Sequence, residues 1–128
     1  MNSFFSLDEL KCPFSNRVAL EEGFLDHLTA LRQDFGSPMI ITSGCRSPEY
    51  NKITPKAHQR SLHLMGNPYH KTDTIAVDVS VMDSAIRRRL LFHAILKGWS
   101  VGVASNFLHL DLRTMYLNLP QIVFHYRR

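Results

Sequence analysis

The chain has 128 residues, 45% of them hydrophobic and 20% charged, which is the balance of a folded globular domain and excludes a disordered or membrane-embedded one. That length points to a single domain over residues 1–128, able to hide roughly two-thirds of its unfolded surface and to build a core without cross-links. Fifteen Lys and Arg against eleven Asp and Glu leave a charge of +4; a pI near 9.3 permits attraction to anionic polymers without specifying one.

The opening residues 1–9 lack the basic start and long apolar stretch of a secretory signal, so synthesis in the cytoplasm without classical export is expected. Nowhere does an apolar run reach the roughly 20 residues of a spanning helix. Cys12 and Cys45 lie far apart without a Cys-x-x-Cys spacing, so two free thiols are expected, not a disulfide or a cysteine zinc site.

The first strong periodicity predicts a helix over residues 19–35. Leu20, Phe24, Leu28, Leu31 and Phe35 recur at spacings that place them on one helical face. Glu21 and Glu22 suit its first turn, where the helix dipole favours negative charge, and Gly36 with Pro38 stops it. Residues 39–42 read as a short strand ended by a Ser43-Gly44 turn. Ser47 and Pro48 open a short helical turn over residues 47–51, and the polar, basic stretch 52–59 reads as a surface loop. A strand follows over residues 75–81. Asp83 or Ser84 caps a second helix running to Leu96, with Ile86, Leu90 and Ala94 as its inner stripe, Arg87, Arg88 and Arg89 mostly outside it, and Gly98 closing it. Two more strands are expected over residues 100–103 and 107–112, and a last one over residues 121–126. There is no repeat, low-complexity segment or Pro/Gly-rich linker. Two main helices and four or five strands that do not strictly alternate imply an α+β domain with a mainly antiparallel sheet.

Seven histidines are the first count worth following. Two polar residues stand inside apolar strands: Asp78 in Ile75-Ala76-Val77-Asp78-Val79-Ser80-Val81, and His109 in Phe107-Leu108-His109-Leu110-Asp111-Leu112. Burying an imidazole or carboxylate is costly unless something pairs with it, and a salt bridge or a metal ion removes that cost. Ordinary readings exist for each: a satisfied core histidine, or a salt-bridged or strand-end aspartate. His27 reads as half-exposed, His93 as structural or exposed, His58 and His70 as solvated, and His125 as uninformative. The sharper reading is a His/Asp zinc site, since zinc takes imidazole nitrogen and carboxylate oxygen in a tetrahedral set and keeps one position for water when the site is catalytic.

Four blocks in order narrow the choice. Ser43-Gly44-Cys45-Arg46-Ser47-Pro48-Glu49-Tyr50-Asn51 resembles the Ser-Gly-Tyr-Arg-Ser-Pro-x-x-Asn block of the M15 peptidases. Those are the zinc D-Ala-D-Ala carboxypeptidases and phage L-alanyl-D-glutamate endopeptidases, with the hedgehog-like DD-peptidase fold. Ser61-Leu62-His63-Leu64-Met65-Gly66 followed by Ala76-Val77-Asp78-Val79 resembles their Ser-x-His-x-x-Gly-x-Ala-x-Asp signature. Gly102-Val103, then Phe107-Leu108-His109-Leu110-Asp111, resembles the final block of one branch. The opening, Phe4 and Ser6 to Cys12, is similar to the start of small phage-type members. Each block alone is weak; four in the right order over most of the chain are specific.

The resemblance implies that His63, Asp78 and His109 hold a zinc ion, that Arg46 binds a substrate carboxylate or polarises the scissile carbonyl, and that Ser61 orients a ligand by hydrogen bond. It implies a zinc peptidase acting on peptidoglycan stem peptides, made in the cytoplasm (the host's, if the source is a phage) and acting at the cell wall. No nucleic-acid motif appears, and neither a nucleic-acid nor a membrane partner is expected; a monomer is.

Two departures stand out. The family separates its histidine and aspartate by seven residues, whereas His63 and Asp78 are fifteen apart. The extra residues fall within 67–75, which can loop out at the rim of the site at little cost in closure entropy. A rival assignment takes His70 or Asp73 instead of Asp78. The family's acidic general base, three residues before the last histidine ligand, is here Asn106. Asp111, on the same strand face as His109, is then placed either to act as the base or to orient a ligand; Glu49 is a more distant possibility. The chief alternative function is a catalytically degenerate zinc-fold protein that binds a virion or cell wall. A further expectation is that Arg87–Arg89 and Arg127-Arg128 give a basic surface.

Overall fold

In the computed structural model, which describes residues 4–55 and 57–126, a capping box opens the first helix. The Ser6 side chain accepts from the Glu9 backbone, and the Glu9 carboxylate accepts from Ser6 N–H, opening helix α1 (Leu7–Leu10). The second helix, α2 (Phe24–Phe35), begins five residues later than its periodicity predicts. Ala19 to Glu21 are instead extended: Ala19 C=O accepts from Thr74 N–H and Glu21 N–H donates to Thr74 C=O. Gly23, at φ +83°, then turns the chain into the helix. Leu20 still packs on the core, but from an extended segment.

Strand β1 (Ile40–Ser43) and helix α3 (Pro48–Ile53) follow, the latter capped by Ser47. Then come β2 (Ala76–Ser80), α4 (Ser84–Leu96) capped by Asp83, β3 (Ser100–Val103), β4 (Phe107–Asp111), the single-turn helix α5 (Arg113–Leu117) and β5 (Val123–His125). The five strands form one sheet in the order β1-β2-β4-β3-β5, antiparallel except for the parallel β3–β5 pair. The expected α+β class with a mainly antiparallel sheet and two main helices is what the chain adopts. No helix among the described residues is long and apolar enough to cross a membrane.

Strand alternation divides the sheet's two faces. Val77 and Val79 of β2, Leu108 and Leu110 of β4 and Val101 of β3 join Phe24, Leu28 and Leu31 of α2 and Leu90 of α4 in the main core. Trp99, fully enclosed, meets Phe24 edge-on at 5.6 Å. The polar strand residues therefore fall on the other face. There the register aligns one row across the sheet: Ser43 opposite Asp78, Asp78 opposite His109, His109 opposite Gly102, and Gly102 opposite Phe124.

Two expectations need correction. Ile86, in the first turn of α4, does not join Leu90 and Ala94 inside but stays 40% exposed. The last strand is shorter than 121–126: only Val123–His125 pair with β3, and the Gln121 side chain donates to the carbonyls of Ile95 and Trp99. In the Arg87–Arg89 stretch, Arg88 and Arg89 are exposed, while Arg87 donates to the carbonyls of Val81 and Ala104 and Arg89 to that of Phe35. Arg127 and Arg128 lie outside the described residues.

Candidate metal centre

Asp78 and His109 reach the polar face because they are cross-strand partners in register on β2 and β4. His63 arrives from a loop, and its backbone is tied at both ends. Arg46 N–H and the Thr74 hydroxyl donate to His63 C=O at 2.9 and 2.8 Å, and His63 N–H donates to Ser61 Oγ at 3.2 Å. The loops carrying Arg46 and His63 thus run side by side as a short parallel bridge.

The three side chains are buried and converge. His63 Nε2, Asp78 Oδ1 and His109 Nδ1 form a triangle with edges of 3.2, 3.2 and 3.3 Å. The other ring nitrogen of each histidine is already engaged. His63 Nδ1 lies 2.8 Å from Gly44 C=O, which can only accept, so its proton sits there and the Nε2 lone pair faces the triangle. His109 Nε2 lies 2.7 Å from Asp111 Oδ2, and that carboxylate also accepts from Arg113 Nε and Nη2 at 2.9 and 2.7 Å. Asp111 is thus a buried anion that orients His109 so that Nδ1 faces inward.

Electrostatics follow the same pattern. Burial raises the Asp78 carboxyl's pKa, but His63 and His109 outweigh it and hold the group well below the usual carboxylate range. Burial likewise opposes the Asp111 charge, and His109 and Arg113 restore it. Burial drives the His63 imidazole toward its neutral form, whereas at His109 hydrogen bonds accepted by the Asp111 and Asp78 carboxylates overcome burial and raise it above its ordinary range.

The donor set fits zinc on geometry as well as on chemistry. Bonds of about 2.0–2.1 Å put the corners of a tetrahedron about 3.3 Å apart, the spacing of these three atoms. His63, Asp78 and His109 are the one cluster among the described residues whose donor atoms gather this way, within 4.8 Å of one another. Neither rival belongs to it: Asp73 accepts from Gly66 N–H at 2.8 Å in its own loop, and His70 lies at the rim.

The other sequence candidates are spread around this centre. Arg46 Nη2 lies 3.7 Å from Asp78 Oδ2, and Nη1 makes long contacts of 3.4 Å to Asn51 Oδ1 and Ser61 Oγ. Its buried Nε has no partner among the described residues. Ser61 therefore positions Arg46 and the His63 backbone, not a ligand ring. Asn106 is exposed and spends its carbonyl on Val81 N–H, and Glu49 is exposed on α3; neither lines the cleft. Cys12 and Cys45 are free, buried thiols, as expected.

A family model described as Peptidase M15 matches residues 4–111. The chain belongs to the M15 peptidases. That family is zinc-dependent, in keeping with a buried His-Asp-His group that could hold the ion. Comparison with curated proteins and with solved structures gives no match.

In this M15 chain the triangle opens onto a cleft of about 1150 Å³. Its lining combines Arg46, Arg60, Arg113, His58 and His70 with the apolar Phe107, Leu119, Ile122, Phe124 and Tyr126, and the Arg113 guanidinium lies over the Phe124 ring at 5.6 Å. Asp78 is the one carboxylate among the described residues lining it. Sequence reasoning missed Arg113, Phe124 and Tyr126. The Asp111-x-Arg113 spacing was a usable signal for the first; the two aromatics carry none, since only the β3–β5 pairing brings them over His109.

Proposed function

We propose that this chain is a zinc-dependent peptidase that hydrolyses peptidoglycan stem peptides at the cell wall, in the manner of an endolysin or a D,D-carboxypeptidase. The observation that carries the reading is the near-equilateral donor triangle, with both histidine tautomers set by second partners, at the floor of a cationic cleft. Zinc bound in such a set supplies Lewis-acid polarisation of a carbonyl and a water nucleophile at neutral pH.

The chain's own residues account for the rest. His63, Asp78 and His109 are the ligands. Arg46, whose fork is only loosely engaged and whose Nε is unpartnered, takes a substrate carboxylate or the scissile carbonyl. Asp111 is a positioning residue. A base would need a carboxylate facing the cleft, and Asp111 is fully buried behind His109. Stem peptides carry free carboxylates, which a cleft lined by three arginines and one paired aspartate suits.

A second reading is favoured by one observation. With Asn106 exposed and no carboxylate besides Asp78 lining the cleft among the described residues, a protein that keeps the metal and lacks turnover would serve as a wall-binding module. Mass spectrometry of muropeptides after digestion, with and without a chelator, separates the two. New amino termini that vanish with the chelator and in His63→Ala and His109→Ala are the expected result, and their position names the bond. One equivalent of zinc with intact muropeptides would leave the binding module.

A further inference from the structure

The family match ends at residue 111, yet the cleft does not. Its far wall is built by β5. Phe124 stands opposite Gly102, which stands opposite His109, and alternation puts Tyr126 on the same face. Both rings occupy the space a side chain at position 102 would need: a Cβ there would lie 2.5 Å from Phe124 and 2.7 Å from Tyr126. The two rings stack at 5.6 Å and pack on His109 at 5.7 and 6.3 Å. Phe107 meets the Tyr126 ring edge-on at 5.3 Å, and Tyr126 N–H donates to Val103 C=O at 3.0 Å. Ring and backbone are therefore both held.

Tyr126 lines the cleft together with Asp78, Arg46 and His109, and no described residue hydrogen-bonds its hydroxyl. A developing oxyanion is steadied by donors on more than one side; Arg46 offers one, and the lining carboxylate, Asp78, can only accept.

We propose that Tyr126 is a catalytic residue, whose hydroxyl donates a hydrogen bond to the scissile carbonyl oxygen across the donor triangle from Arg46. This rests on the peptidase reading above. The hydroxyl keeps its proton throughout, and no bond of Tyr126 is made or broken.

The test is Tyr126→Phe, which keeps the ring over Gly102 and His109 and removes one oxygen. Loss of a donor to an oxyanion lowers kcat on the order of 100-fold, with KM held within about twofold. Zinc stoichiometry and Tm should stay at the wild-type values. A phosphinic pseudodipeptide, imitating the charged tetrahedral oxygens, should bind about tenfold more weakly by calorimetry. An unchanged kcat, a change confined to KM, or a lost zinc or lowered Tm each overturns the proposal. If the zinc-loaded wild type cleaves no muropeptide, the peptidase reading fails and takes this one with it. An active wild type matched by an equally active Tyr126→Phe refutes Tyr126 alone.

Discussion

His109 sits between two carboxylates that do different work. Asp78 shares the inward side of the ring, whereas Asp111 holds the outward nitrogen and is itself held by both prongs of Arg113. A ring anchored by a charged acceptor is a stronger and better-aimed ligand than one anchored by a neutral amide. Asp111→Asn should therefore lower zinc affinity about 10- to 100-fold, measured by competition with a chromophoric chelator, with the fold retained. Unchanged affinity would refute the positioning role. At this scale the candidate ligands were legible in the sequence, because Asp78 and His109 interrupt apolar strands and His63 stands in a family block. The role of Asp111 was only half legible. Its spacing placed it on the His109 face, but strand periodicity says nothing of depth, and only packing showed it enclosed.

Elements that deliver side chains to the centre are held by hydrogen bonds as much as by apolar burial. The 67–75 segment is the clearest case. Asn67 is buried; its Oδ1 accepts from Tyr69 N–H and His70 N–H, and its Nδ2 donates to Ser61 C=O. Lys71, at φ +61°, completes the tight turn, and Asp73 N–H donates to Glu21 Oε1. The inserted residues thus loop out as a pinned turn that leaves Thr74 free to hold His63 C=O. Asn67→Ala removes three hydrogen bonds to partly buried backbone groups, so it should cost about 1–3 kcal/mol in urea unfolding. A loss below about 0.5 kcal/mol would mean that the loop does not brace the Ser61–His63 segment. Helix α2 shows why element boundaries were harder to read. Leu20 keeps the helical spacing of its stripe, yet the backbone around it pairs with Thr74, a residue more than fifty positions away. A periodicity cannot report a competing partner that distant.

The molecule as a whole is built so that the core and the centre occupy opposite faces of one sheet. The apolar face, packed under α2 and α4, contains no metal ligand, so the fold has its own source of stability. The centre adds to it by linkage. Zinc held at about 1,000 times its Kd stabilises the folded state by about 4 kcal/mol, on the order of 10 °C in Tm for a domain this size. Chelation should remove that increment while leaving a cooperative transition, as followed by calorimetry. His63→Ala should show a melting point that zinc does not raise; a rise equal to that of the wild type would place the ion elsewhere.

The linear chain by itself determined the main helices, the strands and which polar residues had to find partners, though not the short helices α1 and α5 or the start of α2, because alternation, periodicity and the cost of burying charge are local properties. It also carried the four ordered blocks that mark the family. Tertiary structure alone decided the rest. Sheet register put Asp78, His109, Gly102 and Phe124 in one row, a loop pairing aimed His63 at them, and a parallel β5 laid two aromatic rings across the centre. Distances between side chains remote in sequence are set by pairing and packing, which no short stretch of residues encodes on its own.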